Sequence, residues 1–334
     1  MTFLGVFLRS HNTKMLLEKT LSTTQYVVKN SHQVRINKEA ILKIAKKIAK
    51  KPRPLWANIF HFQGNTEQTA QYIFILDSLN FCFWANKGKE RWTIKNGSKT
   101  INGYFALALT LKNSFKKYPL SNAMFLADIK RQTLKEIFAS CNSQTIPLFE
   151  ERYQIIRQIG QVLSKKHQGQ AANLIKQAEN SAQKLVEIVV RNFSSFRDTA
   201  VYQGKKIYLL KRAQLLASDL WGAFKGQGLG RFNDIEKLTC FADYKIPQIL
   251  YYFDVLEYSD KLLLKIKNEK LIPAGSQEEI EIRANTIWAV EEIKQTLSAQ
   301  GYGLPSFQID WLLWNLAQKI KMPTAYHKTR TIYY

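Results

Sequence analysis

From residue 103 to the end, apolar side chains return at helical spacing again and again. The stretches lie near 103–116, 128–140, 147–166, 171–190, 211–224, 245–256, 277–298 and 306–320. A stripe that recurs every three to four residues buries one face of a helix and does not suit a strand. Eight such stretches leave little chain for a sheet, so the expected fold is mainly α, a helical bundle with a minor β element. Residues 91–95 and 99–101 flank Asn96-Gly97, a pair that favours a tight hairpin. Residues 205–210 read as one more short strand.

No run of about eighteen apolar residues occurs, so no membrane-spanning helix is expected. Residues 1–9 are largely apolar but too short for a secretory signal, and no basic lead or small-residue cleavage site accompanies them. Cys82, Cys141 and Cys240 are scattered without C-x-x-C spacing, which disfavours a disulfide framework and a zinc site and fits a reducing, cytoplasmic setting. Pro52 and Pro54 set the expected boundary between a basic N-terminal extension, 1–54, and a main domain, 55–334. Residues 1–53 hold twelve Lys/Arg against two Asp/Glu, ten of the net +23 charges of the chain. There Ile41, Ile44, Ala45 and Ile48 form a stripe with lysines opposite. That pattern suits a surface helix with a solvated basic face, or a patch for RNA or another phosphate polymer.

Two carboxylates stand in unusual company. Asp310 sits in Phe307-Gln-Ile-Asp310-Trp-Leu-Leu-Trp314, and Asp243 lies between Phe241-Ala242 and Tyr244. A carboxylate among apolar and aromatic neighbours needs a partner or a chemical task, because burial penalises its charged form. On a helix Asp310, Leu313, Trp314 and Ala317 share a face. The competing reading is a helix-start carboxylate behind Pro305-Ser306. Glu281, Asn285, Trp288 and Glu292 share one face of a long helix, so Glu281 and Trp288 can line a pocket. Glu279 and Arg283 read as a surface ion pair on another face. Arg197, Lys211 and Arg212 fall close together where a strand gives way to a helix, an arrangement suited to a phosphate or to a surface charge cluster. Gly226, Gly228 and Gly230 permit tight turns between a helix ending at Phe224 and one starting near Asp234, a helix–hairpin–helix arrangement. His61, after the aromatic run that begins at Trp56, reads as a hydrogen-bonded core histidine. No zinc-protease, P-loop or serine-hydrolase motif occurs.

Taken in order, several segments resemble the queuosine salvage family, the queuosine 5′-phosphate N-glycosylase/hydrolase proteins. They are Asp77-Ser-Leu-Asn-Phe-Cys-Phe-Trp84, Gly103-Tyr-Phe-Ala-Leu107, residues 179–185, and residues 208–221 with Lys-Arg-Ala-Gln at 211–214. Further on come residues 241–248, Glu279-Ile-Glu-Ile-Arg283, residues 310–314 and 327–334. The resemblance covers residues 55–334, while the basic first fifty match poorly. It implies a mainly helical fold similar to the helix–hairpin–helix DNA glycosylases. It also implies a hydrolase that cleaves the N-glycosidic bond of queuosine 5′-monophosphate, giving queuine and ribose 5-phosphate. No metal or organic cofactor is implied, and the partner is a small-molecule nucleotide. Carried over by motif, Asp310 is the catalytic carboxylate, Phe241 and Asp243 hold the base, and His61 touches it. The family often has Asp after the Leu-Trp that follows Asp310, whereas this chain has Asn315, so that position carries less weight as a site residue.

The chemistry agrees with the residue types. Cleavage of an N-glycoside passes through a ribosyl cation, which a facing carboxylate stabilises. Asp310 can stabilise that cation, attack it, or activate water. Queuine is a 7-deazapurine and lacks a protonatable N7, so help to the leaving group must come from other edge atoms, with Asp243 as the candidate. The secondary ammonium arm of queuine suits Asp243 or Glu281. Phe81, Phe241, Trp288 and Trp314 can stack on the base, and Lys211, Arg212 and Arg197 can meet the 5′-phosphate. Two alternatives stand beside this reading. One is a non-enzymatic tRNA-binding protein that uses the basic N-terminal region. The other is a glycosylase acting on a flipped base in nucleic acid.

Overall fold

A computed structural model of the protein describes residues 15–56 and 59–334; the apolar opening at 1–9 lies outside the described residues. The chain begins with α1 (Leu16–Lys29), β1 (Val34–Ile36), α2 (Lys38–Ala49) and α3 (Thr66–Ser78). It continues through β2 (Thr93–Asn96), β3 (Lys99–Asn102), α4 (Gly103–Ser114), α5 (Ala123–Ala127), α6 (Arg131–Ile137) and α7 (Phe149–Lys166). Next come α8 (Ala171–Lys176), α9 (Ala182–Asn192), β4 (Thr199–Tyr202), β5 (Lys205–Tyr208) and α10 (Lys211–Ala223). The last elements are α11 (Lys245–Tyr252), β6 (Leu256–Tyr258), α12 (Asp260–Lys267), α13 (Gln277–Ala299) and α14 (Ser306–Lys319). The fold is mainly α. Among the described residues the strands form three antiparallel pairs: β2 with β3, β4 with β5, and β1 with the distant β6.

The expected hairpin is present, with Asn96 opposite Lys99 and Gly97 in the left-handed region that its turn requires. The helices expected near 103, 147, 211, 277 and 306 are α4, α7, α10, α13 and α14. The stretch at 171–190 breaks in two, because Glu179 and Asn180 both take left-handed conformations between α8 and α9. The stretch at 245–256 leaves the helix after Tyr252 and becomes strand at Leu256. Gly228 and Gly230 bound a short 3₁₀ turn, and Asp234 opens another rather than an α-helix. Asp234 instead accepts hydrogen bonds from Ser181 Oγ at 2.7 Å and from the Ala182 amide at 2.6 Å, so it caps α9. The next α-helix after the glycines is α11, and the expected second helix of a helix–hairpin–helix pair near Asp234 is not there.

Two large apolar clusters organise the interior. One gathers α3, α4, the α5–α10 region and Phe307. The other gathers the apolar faces of α2, α11, α12 and α13 with Ile309, Leu313 and Ala317 of α14. The stripe on α2 behaves as expected, with Ile41, Ile44, Ala45 and Ile48 buried. Within α14, Phe307 belongs to one cluster and Ile309 and Leu313 to the other, so Asp310 sits at the seam. Close packing needs glycine at two helix crossings. A Cβ on Gly160 of α7 would lie 2.1 Å from the Ala127 amide nitrogen, and one on Gly222 of α10 would lie 2.4 Å from Trp56 Cβ.

Two buried arginines fix the end of α3. Arg212 donates to the carbonyls of Ser78 and Ser195, and Arg152 donates to those of Leu79, Phe81 and Cys82. Carbonyls at a helix C-terminus lack helical partners and attract cations. The clamp therefore holds the chain where it leaves α3 and enters the wall of a cleft.

Candidate functional site

That cleft encloses about 700 Å³, counting its open mouth, and is lined by residues from six separate segments. Leu55, Trp56 and His61 come from the segment before α3, and Asn80 from the turn after it. Tyr104 and Phe105 open α4, while Lys211, Leu215 and Asp219 come from α10. Phe241 and Asp243 precede α11, and Asp310, Trp311, Trp314 and Asn315 come from α14. A second hollow of about 680 Å³ adjoins it, sharing Asn80, Tyr104, Lys211, Asp243 and Trp314 and adding Phe81, Arg91, Lys245 and Tyr326.

Asp310 is 4 % exposed. Its Oδ2 accepts hydrogen bonds from the Phe241 amide at 2.9 Å and from Cys240 Sγ at 3.2 Å. These bonds tie α14 to the loop that carries Phe241 and Asp243. Among the described residues no protein donor takes Oδ1. Burial, and then the charge of Asp243, pushes the Asp310 carboxyl up to about 8, against the pull of its two hydrogen bonds. Asp243 accepts from the Lys245 amide at 2.6 Å and from the Ile246 amide at 3.0 Å, which start α11. The two carboxylates thus double as struts of the loop and lining of the cleft.

Lys211 reaches the cleft through an uncommon turn. Leu210 before it has φ 54°, a left-handed conformation that costs a non-glycine residue about 1 kcal/mol. The turn is held by Asp198, whose carbonyl accepts from the amides of Leu209 and Leu210 and whose Oδ2 accepts from the Lys211 amide at 3.0 Å. Arg283 grips the same carboxylate at 2.9 and 2.6 Å and donates to the Ala242 carbonyl at 3.1 Å. The expected Glu279–Arg283 pair does exist at 3.3 Å, but it is buried rather than on the surface, drawn inward by Asp198. One guanidinium therefore joins the Lys211 turn to the Phe241–Asp243 loop.

His61 stacks on Trp56 with ring centroids 4.0 Å apart, and its Nε2 lies 2.8 Å from the Tyr104 hydroxyl. Burial, then the Lys112 charge, lowers the imidazole to about 4, so it stays neutral. It is at once the hydrogen-bonded core histidine of the sequence reading and part of the cleft wall.

Of the residues singled out from sequence, Asp310, Phe241, Asp243, His61, Trp314 and Lys211 meet at the cleft, and Phe81 lines the adjoining hollow. The others lie elsewhere. Glu281 accepts from the amides of His32 and Gln33 and from the Tyr202 hydroxyl, fastening the segment between α1 and β1. Trp288 donates to Thr24 Oγ1 of α1. Arg212 belongs to the α3 clamp. Arg197 is exposed and caps the last carbonyls of α9 through Val190 and Arg191. Sequence reasoning passed over Asp219, Tyr104, Arg91 and Lys245. Asp219 carried a signal like that of Asp310, a carboxylate with a tryptophan close by, in Ser218-Asp219-Leu220-Trp221, whereas only tertiary folding brings Arg91 and Lys245 to the hollow.

The sequence model of the family described as queuosine salvage protein matches residues 60–334. A protein of Sphaerobacter thermophilus is 43 % identical over 318 residues, covering 94 % of this chain and 97 % of its own length. Similar proteins from Dictyostelium discoideum and Mus musculus are 38 % and 33 % identical, each match covering 93 % of this chain and 97 % of the relative. All three are named queuosine 5′-phosphate N-glycosylase/hydrolase. With most of its length matched by the family model and near-complete overlap with these relatives, the chain belongs to the queuosine salvage protein family.

Proposed function

We propose that the cleft hydrolyses the N-glycosidic bond of queuosine 5′-phosphate, releasing queuine and ribose 5-phosphate. The observation that carries this reading is Asp310, a buried carboxyl anchored by Oδ2 alone in a cleft walled by Trp56, Phe241, Trp311 and Trp314. As the C1′–N bond breaks, its electron pair leaves with the base and positive charge builds on the ribose. A carboxylate in a low-dielectric cleft stabilises such charge far better than water does. The growing cation in turn favours the ionised form of Asp310. An acid poised near neutrality also suits the whole step. The proton that Asp310 sheds as it ionises goes to the departing base, which leaves as queuine. The carboxylate then takes the proton of the water that adds to C1′. Asp310 is our choice for both roles.

The adjoining hollow suits the 5′-phosphate. Lys211, Lys245 and Arg91 line it, and none of them pairs with an acidic side chain among the described residues. Burial pulls both lysines down from the usual amine range, with Asp243 opposing it. A bound dianion would relieve that penalty. We therefore assign the phosphate to these three cations rather than to Arg212 or Arg197.

No helix among the described residues is long and apolar enough to cross a membrane. We place the reaction in the cytoplasm, in keeping with three free cysteines. The substrate is a free mononucleotide, so a nucleic-acid partner on the lysine face of α2 is not required. Incubation with queuosine 5′-phosphate, following queuine by chromatography, tests the reading. Wild type should release queuine and Asp310→Asn should not; a folded wild type that releases none refutes the function, and a fully active Asp310→Asn refutes the role of Asp310.

A further inference from the structure

The loop before α11 brings a thiol as well as an amide to Asp310. Cys240 is fully buried and belongs to the same apolar cluster as Ile309 and Leu313 of α14. Its Sγ lies 3.2 Å from Asp310 Oδ2, and the Phe241 amide reaches the same oxygen at 2.9 Å. The backbone on its other side is held from α10, where Gln214 Oε1 accepts from the Thr239 amide at 2.8 Å. The thiol is therefore fixed in place, and among the described residues Oδ2 is the acceptor it meets.

These contacts decide where the proton of a neutral Asp310 sits. A carboxyl oxygen has two lone pairs. The amide can only donate, so it occupies one of them in either protonation state. A thiol among apolar side chains has one proton to give, and its sulfur is a weak acceptor, so it gains most by donating to the other. With both lone pairs taken, Oδ2 is the carbonyl oxygen of the acid and the proton belongs to Oδ1. A proton on Oδ2 would have to point at sulfur, and would leave the S–H without an acceptor. Oδ1, which no protein donor takes among the described residues, is the oxygen left for the cleft that Asp310 lines.

We propose that Cys240 is a positioning residue whose thiol shares Oδ2 with the Phe241 amide and so fixes the acidic proton of Asp310 on Oδ1, the oxygen that meets the substrate. Oδ1–H gives its proton to the departing base as the C1′–N electron pair moves onto that base. The same oxygen, now anionic, faces the ribosyl cation and takes the proton of the water that adds to C1′, which restores the acid. A thiol suits this task better than a hydroxyl. It fills the lone pair but, as a weak donor, does little to stabilise the carboxylate, so the acid keeps its proton for the substrate. The other charged or titratable groups around this bond are Asp243 of the same loop, Glu291 of α13, Lys211 and Asp219 of α10, Tyr104 of α4 and His61. All of them are common to the Cys240 variants compared below.

This placement deepens the hydrolase reading and rests on it for the substrate. In turnover of queuosine 5′-phosphate, Cys240→Ala should lower kcat about tenfold with KM within about twofold, because the proton is no longer held on Oδ1. Cys240→Ser keeps a donor and should recover kcat at pH 6 to within about threefold of wild type. Activity should fall with rising pH as Asp310 ionises. That alkaline limb should move down by roughly one pH unit in Cys240→Ser, which has the stronger donor, and up in Cys240→Ala. A residue that only fills space would not move the limb in opposite directions. The infrared S–H stretch needs no substrate. The band lost in Cys240→Ser should lie below that of a free thiol at pH 6 and fall further as Asp310 ionises around pH 8, with no such change in Asp310→Asn. A Cys240→Ala enzyme with wild-type kcat and pH profile overturns the placement, as does a Cys240 band at the free-thiol position. If wild type releases no queuine, the hydrolase reading falls, and the infrared band alone decides where the proton sits.

Discussion

Replacing Asp310 by Asn should inactivate the protein and stabilise it, and the size of the second effect follows from burial. The carboxyl is pushed up to about 8 in the folded chain, against about 4 when unfolded. Between those values the native state keeps a proton that the unfolded state has lost. The stabilising contribution of the protonated acid is therefore full below about pH 4 and is lost as pH rises toward 8, at up to about 1.4 kcal/mol per pH unit. At pH 7 the accumulated penalty is roughly 4 kcal/mol, and between pH 5 and pH 7 it grows by roughly 2 to 3 kcal/mol. Asn cannot ionise, and its oxygen can still accept from the Phe241 amide. Urea unfolding of both proteins at pH 5, 6 and 7 should show the mutant gaining on wild type by that amount. Taking the difference between the two proteins removes the contributions of Asp77, Asp219 and Glu279, whose carboxyls are also raised. A difference that stays flat from pH 5 to pH 7 would mean that Asp310 ionises normally in the fold, and the account of its chemistry would fail with it.

Two further expectations concern the cations. Lys211→Met should raise KM for the nucleotide by roughly 10- to 100-fold, the worth of a charge-assisted hydrogen bond, while leaving KM for unphosphorylated queuosine within about threefold; equal losses on both substrates would remove Lys211 from the phosphate site. Arg283→Met should destabilise the protein by about 3 to 5 kcal/mol, because it leaves Asp198 buried without its partner at 2.6 Å, and a urea midpoint within error of wild type would show that the bridge carries no such weight.

Much of the fold could be read from the chain, and the failures have causes. Helices with one buried face announced themselves, as α2 and α7 did. The helix α3 did not, because Thr69 through Ser78 are all buried, so no stripe separates one face from another. The short strands β1 and β6 hold only three residues each and find each other across more than two hundred positions, which no local pattern reveals. At the site, Asp310 and Asp243 were legible as carboxylates in apolar company. Lys211 and Arg212 were not separable by sequence. Neighbours on a helix point about 100° apart, so one reaches the cleft while the other turns back to the carbonyls of α3. Arg283 shows the opposite error. Its spacing from Glu279 suggested a surface pair, yet Asp198, 85 positions away, draws it into the core.

The six segments around the cleft also set an order of assembly. His61 meets Tyr104 across 43 positions, and Phe241 meets Asp310 across 69. The carboxylate that completes the cleft lies on α14, the last helix of the chain. During synthesis the aromatic walls contributed by earlier segments must wait, with apolar faces uncovered, until α14 arrives. Contacts of such long range form slowly, since each closes a large loop before it gains anything in return. A partly made chain therefore has apolar surface and no working cleft, and the onset of turnover during refolding would mark the closing of the last seam rather than the first collapse.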